Sequence, residues 1–470
     1  MKTLNKLIIL LLLPLSAYAG TLHVDPTHTT DREWEGWGVS LCWWANMCGR
    51  HSEAQLDSLI EWLTSPQQLN YTLFRYNIGG GDDPQWQHCT PHHMGHGKGL
   101  RAEMEGFLDA PTDSTDAFLD NPYHWERDQA QRRIMLMIHR KRPDAVFEAF
   151  SNSAPWWMTK SGCVGGGQPA TADNLRDDMY GTFSRYLVDV CRHYHDTYGI
   201  TFRTLEPFNE PLTDYWPQNG SQEGCHFSSP AQVRLIRTLY PILQQSGLST
   251  VLAASDETSV WHSISNFRHY AHEGIMPLIG QWNTHTYSAN DSVRRVMRHL
   301  ADSCHIRLWQ SETGDGGRGL HGNLMMARRL ISDIRHLQPS AWLDWQYVEE
   351  NHDQWSLVKC DKQWGTFERH KNFYVRQHFS RFIPAGYRWI SLDSDSALAA
   401  IDSTGRHLTV VILNTERQTS TTSLAIPGKW RLTHIYRTSR HESMQEIPAK
   451  AKDRQVTLPP NSIATLLLEL

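Results

Sequence analysis

The sequence predicts an α/β fold in which a (β/α)8 barrel carries an attached β-sandwich side domain. Over most of the 470 residues, short apolar runs typical of buried strands alternate with longer amphipathic stretches. Eight such strand–helix units are the number that closes a parallel barrel. After Ile383 the pattern changes to short strands separated by turn residues, which is typical of a sandwich.

The barrel strands are predicted where a short apolar run ends close to polar, proline or glycine residues. They are Trp37–Leu41, Tyr71–Ile78, Ala145–Phe150, Phe202–Asn209, Thr250–Ser255, Gln281–Tyr287, Ile306–Glu312 and Ser340–Tyr347. Apolar residues between them recur at helical spacing, as in Leu56, Leu59 and Leu63. The segment from Gly79 to Arg140 interrupts this rhythm, and we expect a large loop over the barrel rim that ends in a helix near Arg127–His139.

The sandwich strands are predicted at Ala397–Ile401, His407–Asn414, Ser420–Ile426, Arg431–Tyr436, Gln455–Leu458 and Ser462–Glu469. The segment Thr21–Val24 is too short to stand alone and is expected to add a strand to this sandwich. The predicted organisation is a signal peptide over residues 1–19, the joining strand over 20–34, the (β/α)8 barrel over 35–383 and the sandwich over 384–470.

The N-terminus has the features of a signal peptide. Lys2 and Lys6 precede the apolar run Leu7–Leu13, and Ala17-Tyr18-Ala19 fits a cleavage site for small residues. We therefore expect export to the periplasm or the extracellular medium, without stable membrane insertion, because the run is too short to span a bilayer. A formal net charge of −5 gives no reason to expect nucleic acid as a partner. We expect a monomer.

Neither the cysteines nor the histidines predict a metal site. No CxxC spacing occurs among the eight cysteines, and we expect Cys163 and Cys225, which both follow predicted barrel strands, to form a disulfide. A histidine-rich loop lacks the HExxH pattern of a zinc site and is interpreted as solvated. Its histidines are His88, His92, His93 and His96. No metal or other cofactor is expected.

Two glutamates carry the functional prediction. Glu210 and Glu312 are predicted to end the fourth and seventh barrel strands, at the rim where barrel active sites lie. Strands three units apart belong to opposite walls, so the two carboxyl groups can face each other across a groove. Cleavage of a bond between sugars needs such a pair. We expect Glu312 to be the nucleophile and Glu210 the general acid and base.

Neighbouring polar residues admit both functional and structural interpretations. Asn209 either contacts a sugar hydroxyl or caps a helix. A buried Arg75 needs an acid partner and could keep Glu312 ionised, while His285 and Tyr287 could do the same or contact substrate. Other acids are interpreted as ion-pair or rim residues. They are Asp82, Asp83, Glu206, Asp256, Glu257, Glu349 and Glu350.

Six motifs in order resemble glycoside hydrolase family 30. They are Glu35-Gly36-Trp37-Gly38-Val39-Ser40, Arg75-Tyr76-Asn77-Ile78-Gly79-Gly80, Ser151-Asn152-Ser153-Ala154-Pro155-Trp156-Trp157-Met158, Glu206-Pro207-Phe208-Asn209-Glu210-Pro211, His285-Thr286-Tyr287 and Trp309-Gln310-Ser311-Glu312. The resemblance implies retention of anomeric configuration, no cofactor, and Glu210 and Glu312 as the catalytic pair. It also implies substrate contacts. Their residues are Arg75, Trp157, Asn209, Tyr287 and Trp345.

Within the family, two further segments resemble the endo-β-1,6-galactanases. They are Ser40-Leu41-Cys42-Trp43-Trp44-Ala45 and Gln222-Glu223-Gly224-Cys225-His226-Phe227. The resemblance therefore implies a polysaccharide or oligosaccharide substrate, with β-1,6-galactan as the first expectation. The alternatives are a β-1,6-glucanase, a xylanase, a glucosylceramidase or an inactive glycan-binding protein.

Overall fold

A computed structural model describes residues 18–81, 104–110, 123–218, 220–350, 353–449 and 454–470. The strands, in chain order, are β1 (Tyr18–His23), β2 (Gly36–Ser40), β3 (Leu73–Asn77), β4 (Val146–Phe150), β5 (Thr204–Glu206), β6 (Val251–Ser259), β7 (Ile279–Ser288), β8 (Arg307–Glu312), β9 (Ala341–Asp344), β10 (Val348–Glu350), β11 (Val358–Cys360), β12 (Phe367–Arg369), β13 (Arg388–Ile390), β14 (Ala397–Ile401), β15 (His407–Asn414), β16 (Ser420–Ala425), β17 (Arg431–Thr438), β18 (Gln445–Ile447), β19 (Gln455–Leu458) and β20 (Ser462–Glu469). The helices are α1 (Trp44–Cys48), α2 (Glu53–Thr64), α3 (Gln129–Lys141), α4 (Tyr180–Tyr198), α5 (Ser229–Gln245), α6 (Val260–His272), α7 (Asp291–Ser303), α8 (Gly319–Ser332) and α9 (Lys371–Ser380).

Strands β2 to β9 are parallel and close into a barrel, so the predicted fold class is confirmed. All residues of β2 and β3 are buried, because helices cover the outside while side chains fill the inside. Gly38 permits the close pairing of these two strands, since a Cβ there would lie 2.0 Å from the carbonyl oxygen of Leu73. All eight predicted barrel strands overlap observed ones.

The fourth barrel strand is shorter than predicted. The sequence predicts Phe202–Asn209, whereas β5 ends at Glu206. Pro207 has no N–H to continue the ladder, and the chain then turns. Glu210 consequently lies four residues beyond the strand, and the prediction that it ends the strand is wrong. Glu312 is the last residue of β8, as predicted.

The helices bury one face against the barrel. In α4 the buried side chains include Phe183, Tyr186 and Leu187, and the helix ends at Gly199 in the left-handed conformation that glycine tolerates best. The helix expected near Arg127–His139 is α3, shifted by two residues. None of the described helices is both long and apolar enough to cross a membrane.

Two sheets form the side domain. One has the order β13-β14-β15-β20-β17-β18 and the other the order β1-β16-β19. Their facing side chains share an apolar core that includes Val410, Leu424 and Leu466. Strand β1 runs parallel to β16, with Leu22 beside Leu424. The division of the chain into residues 35–383 and 384–470 stays a prediction.

Five short strands have no counterpart in the sequence prediction. They are β10, β11, β12, β13 and β18, each three residues long. Three residues show too little alternation for a period of two to be recognised. Strands β10 to β12 form a small sheet directly after the last barrel strand.

The predicted disulfide between Cys163 and Cys225 is wrong. Cys163 is disulfide-bonded, whereas Cys225 is a free, buried thiol. Both follow barrel strands, but sequence order does not give the distance between two sulfurs. Several predictions fall outside the described residues, namely most of the signal peptide, part of the long rim loop, Asp82, Asp83 and the histidines His88, His92, His93 and His96.

A buried ion pair ties α9 to the end of β9. The Arg376 guanidinium donates to both carboxylate oxygens of Asp344, at 2.7 and 2.9 Å, and stacks over Trp342 at 4.6 Å. Tyr71 donates to the same carboxylate at 2.5 Å. Asp344→Ala leaves a buried cation without its partner and is expected to lower the free energy of unfolding by about 3–5 kcal/mol, measured by denaturant titration.

The matched control is the exposed pair Arg234–Asp177, whose side chains are 50% and 76% exposed. Asp177→Ala is expected to change the free energy of unfolding by less than about 1 kcal/mol, because water screens exposed ion pairs. Equal losses in the two variants would contradict the structural role of the Arg376 pair.

Candidate active site

A cavity of about 390 Å³ opens at the carboxyl ends of the barrel strands, and both predicted glutamates line it. Glu223 and Glu349 add two more carboxyl groups to its wall. Five aromatic side chains also line it, namely Trp43, Tyr215, Tyr287, Trp345 and Trp355. Carboxyl groups among aromatic faces suit a sugar, whose C–H faces stack on rings while its hydroxyls seek polar partners.

Glu210 is held in an unusual backbone conformation. Its φ is +49°, in the left-handed region that non-glycine residues rarely adopt. Its N–H donates to the Asp256 carbonyl at 2.9 Å, and its own carbonyl accepts from Trp216 Nε1 at 3.0 Å. Trp216 fits here because residue 224 is glycine, where a Cβ would come within 2.2 Å of the indole. The conformation aims a side chain only 6% exposed into the cavity.

Both carboxylate oxygens of Glu210 accept hydrogen bonds. His285 Nδ1 donates to one at 3.0 Å, and the Tyr215 hydroxyl donates to the other at 2.5 Å. The Tyr215 hydroxyl also contacts Thr258 Oγ1 at 3.0 Å. These contacts fix the carboxyl group from two sides.

Glu312 is also held through both oxygens. Tyr287 donates to Oε1 at 2.9 Å, and Arg75 donates to Oε2 at 3.4 Å. Burial raises the pKa of Glu312 above its usual range; His285 and Arg75 lower it, while Glu210 raises it further. The sequence analysis allowed Arg75 to keep this group ionised, but the contact between Arg75 and Glu312 is long, and burial outweighs its effect on the pKa.

The two carboxyl groups lie close together. Each contributes an oxygen to a cluster with a His285 ring nitrogen in which all three atoms lie within 4.8 Å of one another. Retaining glycosidases place their carboxyl groups about 5–5.5 Å apart, whereas inverting ones need about 6.5–9.5 Å to admit a water. The spacing fits direct attack by one carboxylate.

His285 stands between the acids as a buried cation. Its Nδ1 lies 3.0 Å from Glu210 and 3.6 Å from Glu312, and its Nε2 lies 3.2 Å from Asp256. Burial alone would lower the pKa of His285, but the surrounding carboxylates of Glu312 and Asp256 raise it well above its usual value. The cluster is compact enough for a metal ion, but the raised pKa of His285 favours a proton over a metal on its ring nitrogen.

Arg75 forms the floor beneath the acids. It is fully buried, donates to Glu148 at 2.9 Å and to Asp256, and lies 4.0 Å from the Phe150 ring centre. Asp256 therefore meets both buried cations, and its Oδ1 also accepts from Ser311 at 2.6 Å. Both Asp256 and Glu210 have positive φ, and a backbone hydrogen bond joins them. Asp256 thus links the supports of Glu210 and Glu312.

Glu206 is the last residue of β5 and is fully buried inside the barrel. Its carboxyl group accepts from the side-chain amide of Asn283 at 3.4 Å and from the backbone N–H of Phe208. Burial, with the charges of Asp256 and Glu148 nearby, raises the pKa of Glu206 well above its usual range. A neutral Glu206 adds no charge beneath the active site.

Asp256→Asn is expected to lower the free energy of unfolding at neutral pH by about 3 kcal/mol, because it removes an anion from two buried cations. Burial would raise the pKa of Asp256, but Arg75 and His285 lower it to about 2 in the folded protein. The ordinary value is about 3.9. A depressed folded-state pKa stabilises the fold above the unfolded pKa, and that stabilisation is lost as the pH falls through the folded value.

The measurement is denaturant unfolding of the wild type and Asp256→Asn at several pH values. Their difference in free energy of unfolding is expected to narrow as the pH falls from about 4 towards and below about 2, as the Asp256 carboxyl of the folded wild type becomes protonated. Comparing the two proteins cancels the titration of all other carboxyls. A difference that stays constant over this range would contradict the ionised state of Asp256.

The other predicted substrate contacts divide into three groups. Asn209, Tyr287 and Trp345 line the cavity, and Asn209 Oδ1 is buried without a hydrogen-bond partner among the described residues. Arg75 and His285 lie fully buried beneath it and reach the acids by hydrogen bonds. Trp157 is absent from the described lining. It packs in the main core, and its Nε1 donates to the Leu108 carbonyl at 3.4 Å.

Three lining residues are not among the substrate contacts predicted from the sequence. Tyr215, Glu223 and Asn152 all line the cavity. Glu223 accepts from Asn77 at 2.7 Å and from the Gly80 N–H at 2.9 Å, and burial raises its pKa to about 7. The signal available in the sequence for Glu223 was its position as a polar residue in a glycine-rich loop after a barrel strand. It does not indicate which loop side chain turns inward.

Comparisons with known proteins agree with this geometry. The chain is 30% identical over 406 residues to an endo-β-1,6-galactanase of Hypocrea rufa, covering 84% of this chain and 81% of that protein. It is 26% identical over 433 residues to an exo-β-1,6-galactobiohydrolase of Bifidobacterium longum subsp. longum, covering 71% of this chain. The match spans 28% of that longer protein.

The fold is similar to the crystal structure of a conserved exported protein from Bacteroides fragilis. The TM-score is 0.81 at 17% sequence identity, and the match covers 95% of this chain and 100% of that chain. The family model described as O-Glycosyl hydrolase family 30 matches residues 20–290, more than half of the 470 residues. The chain is therefore a member of glycoside hydrolase family 30.

Proposed function

We propose that this protein is an exported retaining glycosidase that cleaves β-1,6-linked galactan, such as arabinogalactan side chains, by double displacement. The observation that carries the proposal is the pair Glu210 and Glu312, which meet around His285 within 4.8 Å. That separation is shorter than the about 6.5–9.5 Å with which an inverting enzyme admits a water between its second carboxylate and the sugar, so it suits direct attack by Glu312 and a covalent intermediate. Binding a glycan without cleaving it does not require two carboxyl groups held this close together.

In the first step Glu312 attacks the anomeric carbon and forms a glycosyl ester. Glu210 gives its proton to the departing oxygen, so the leaving sugar departs as a neutral alcohol. Tyr287 and Arg75 hold the attacking carboxylate from one end each. Asn209 supplies an amide beside the acid for a sugar hydroxyl, a contact that strengthens in the transition state.

In the second step Glu210, now a carboxylate, removes a proton from water. The water oxygen attacks the anomeric carbon, the ester bond to Glu312 breaks, and the product keeps the original configuration. His285 and Tyr215 hold the Glu210 oxygens throughout. Two inversions at one carbon give net retention.

The choice of galactan is supported by the relatives, two of which are named for acting on β-1,6-galactan or its fragments. The test is the product profile of the purified enzyme on β-1,6-galactan, β-1,6-glucan and xylan. Cleavage of galactan at least tenfold faster than the other two is the expected result, and preferred cleavage of another polymer overturns the galactan assignment. The Glu312→Gln variant, assayed in parallel, excludes contaminating hydrolases.

The pH dependence of the first step follows from the environment of Glu312. The nucleophile must be ionised, and burial raises the pKa of Glu312 above its usual range. The rising limb of kcat/KM against pH is therefore expected above the ordinary glutamate value of about 4.3. A limb at or below that value would contradict the role of burial. Tyr287→Phe, which removes a donor to the anion, is expected to move the limb higher.

Export is proposed from the signal-peptide features of residues 1–19, and a monomer from the sequence. Secretion fits an enzyme whose polymeric substrate cannot enter a cell. Fractionation of cells that produce the full chain tests the location, and light scattering of the secreted protein tests the oligomeric state. Retention in the cytoplasm would contradict the first proposal, and a dimer mass would contradict the second.

A further inference from the structure

A buried carboxyl group beside the proposed proton donor has no part in the proposed reaction. Glu257 lies on β6, next to Asp256, and is fully buried. The sequence analysis interpreted it as an ion-pair or rim residue, whereas its described hydrogen-bond partners are all amide groups. Burying a carboxyl group costs free energy unless hydrogen bonds compensate for it. Those bonds show which part of the chain Glu257 holds in place.

One carboxyl oxygen of Glu257 binds the loop that carries Glu210. The backbone N–H of Leu212 donates to Glu257 Oε2 at 3.2 Å. Two residues earlier, the N–H of Glu210 donates to the carbonyl of Asp256 at 2.9 Å. Adjacent residues of β6 therefore hold the N–H groups on both sides of Pro211, which has no N–H of its own. These two bonds hold the backbone in which Glu210 has its positive φ.

The other carboxyl oxygen of Glu257 is held from two helices. The side-chain amides of Gln232 on α5 and Asn266 on α6 both donate to Oε1, that of Gln232 at 3.4 Å. The Asn266 amide also donates to Gln232 Oε1 at 3.0 Å, so the two amides support each other. Glu257 is thus anchored to the outer layer of the barrel and cannot turn away from Leu212 without breaking these bonds.

The same network reaches the far end of the loop. Phe227 donates its N–H to the Pro211 carbonyl at 3.0 Å, and its own carbonyl accepts from the Gln232 amide at 2.9 Å. The start and the end of the loop are therefore tied to each other and, through Gln232, to Glu257. A shift of about 1 Å in a reacting group can slow a reaction by about 100-fold, so the bonds that fix this loop bear on proton transfer by Glu210.

We propose that Glu257 is a positioning residue for Glu210, which holds the backbone of Glu210 to Leu212 so that the acid meets the oxygen of the leaving sugar. The proposal rests on the proposed role of Glu210 as the proton donor. Glu257 is not among the described residues that line the cavity, so it acts through the backbone and not on the sugar. Its loss should therefore impair proton donation and leave the attack by Glu312 intact.

The test compares wild type with Glu257→Met, which keeps much of the side-chain volume but removes both oxygens. One substrate is whichever of β-1,6-galactan, β-1,6-glucan and xylan the wild type cleaves fastest, and the other is the dinitrophenyl glycoside of the same sugar. Only the sugar leaving group needs a proton. We expect kcat/KM on the polymer to fall about 10- to 100-fold and kcat/KM on the glycoside to stay within about threefold. Glu257→Ala repeats the comparison if the methionine variant does not fold.

The conservative variant Glu257→Gln is expected to keep the function. Burial and the charge of Glu210 raise the pKa of Glu257 to about 8, so the carboxyl group is mostly uncharged at neutral pH. A glutamine amide has the same shape, no charge and an oxygen that can accept from the Leu212 N–H. We therefore expect kcat/KM on the polymer to stay within about threefold of wild type. A loss as large as that in Glu257→Met would overturn the positioning role.

His378→Ala is the matched control because it removes another fully buried polar side chain, on α9, which bonds Thr465 and Thr438. We expect a lower thermal midpoint, with the ratio of the two kcat/KM values within about twofold of wild type. A fall in this ratio as large as that in Glu257→Met, or an unchanged ratio in Glu257→Met, would overturn the positioning role. Glu210→Ala, assayed in parallel, tests the proposed function itself, since equal losses on both substrates in that variant would remove Glu210 from the role of proton donor.

Discussion

Glu312→Gln is expected to abolish turnover while the protein stays folded. The amide matches the carboxylate in shape but cannot form a stable glycosyl ester, so kcat should fall by about 10⁴- to 10⁶-fold. Arg75 keeps its contacts to Glu148 and Asp256 in the variant. The wild-type carboxyl is also costly to ionise at this buried position, so the thermal midpoint is expected to stay within a few degrees of wild type. The measurements are kcat on the preferred polymer and a thermal melt.

A second variant at the same position gives a stereochemical readout. Glu312→Ala opens a space on the face that the nucleophile occupied, and added azide is expected to enter there. Attack from that face on an activated β-glycoside forms the α-glycosyl azide, with inverted configuration. Formation of the β-azide, or near-normal activity of Glu312→Gln, would remove Glu312 from the nucleophile role.

The sequence predicted the barrel because its strands are buried on both faces. Runs such as Leu73–Asn77 and Arg307–Glu312 stand out from the amphipathic helices between them, and the order of strands fixes which walls oppose each other. The opposition of Glu210 and Glu312 follows from that order alone. The order of strands does not predict the sheet partners of three-residue strands such as β13. Strands this short are identified only from their hydrogen bonds to a neighbouring strand in the structure.

The charge state of the site could not be predicted in the same way. The sequence analysis named Glu312 as one acid that Arg75 could keep ionised, but the closer partners of Arg75 are Glu148 on β4 and Asp256 on β6. Which acids surround a buried cation depends on register between strands, and one residue of slip would turn each acid to the other face. Burial raises the pKa of Glu312, and the charges of His285 and Arg75 only partly offset that rise.

The substrate contact that the family resemblance implies for Trp157 stays a prediction. Its indole packs among core side chains, and its Nε1 donates to the Leu108 carbonyl. Tyr215 had no motif to mark it, yet its hydroxyl bonds the proposed proton donor. Both positions depend on the paths that the long loops take over the barrel rim. Those paths follow from tertiary packing rather than from the local sequence pattern.

Glu210→Ala is expected to affect substrates according to their leaving groups. A sugar alcohol is a poor leaving group and needs the proton, so kcat/KM on the polymer should fall by about 10²- to 10⁴-fold. A dinitrophenolate leaves without protonation, so kcat/KM on a dinitrophenyl glycoside should change by less than about tenfold. The comparison uses one protein and one glycon, so misfolding or lost sugar binding would lower both values together.

The second step of the reaction in Glu210→Ala gives a product whose anomeric configuration tests the role of Glu210. With the base removed, water attacks the glycosyl ester slowly, and the intermediate accumulates, which lowers kcat and KM together on the dinitrophenyl substrate. Azide needs no base, and the space left by the carboxyl lies on the face opposite Glu312. Azide is therefore expected to restore kcat and to give the β-glycosyl azide, the opposite anomer to that from Glu312→Ala. Equal losses of kcat/KM on the two substrates would remove Glu210 from the role of proton donor. Formation of the α-glycosyl azide would exchange the roles assigned to Glu210 and Glu312. The pair of anomers thus tests both acids by chemistry that a change in stability cannot imitate.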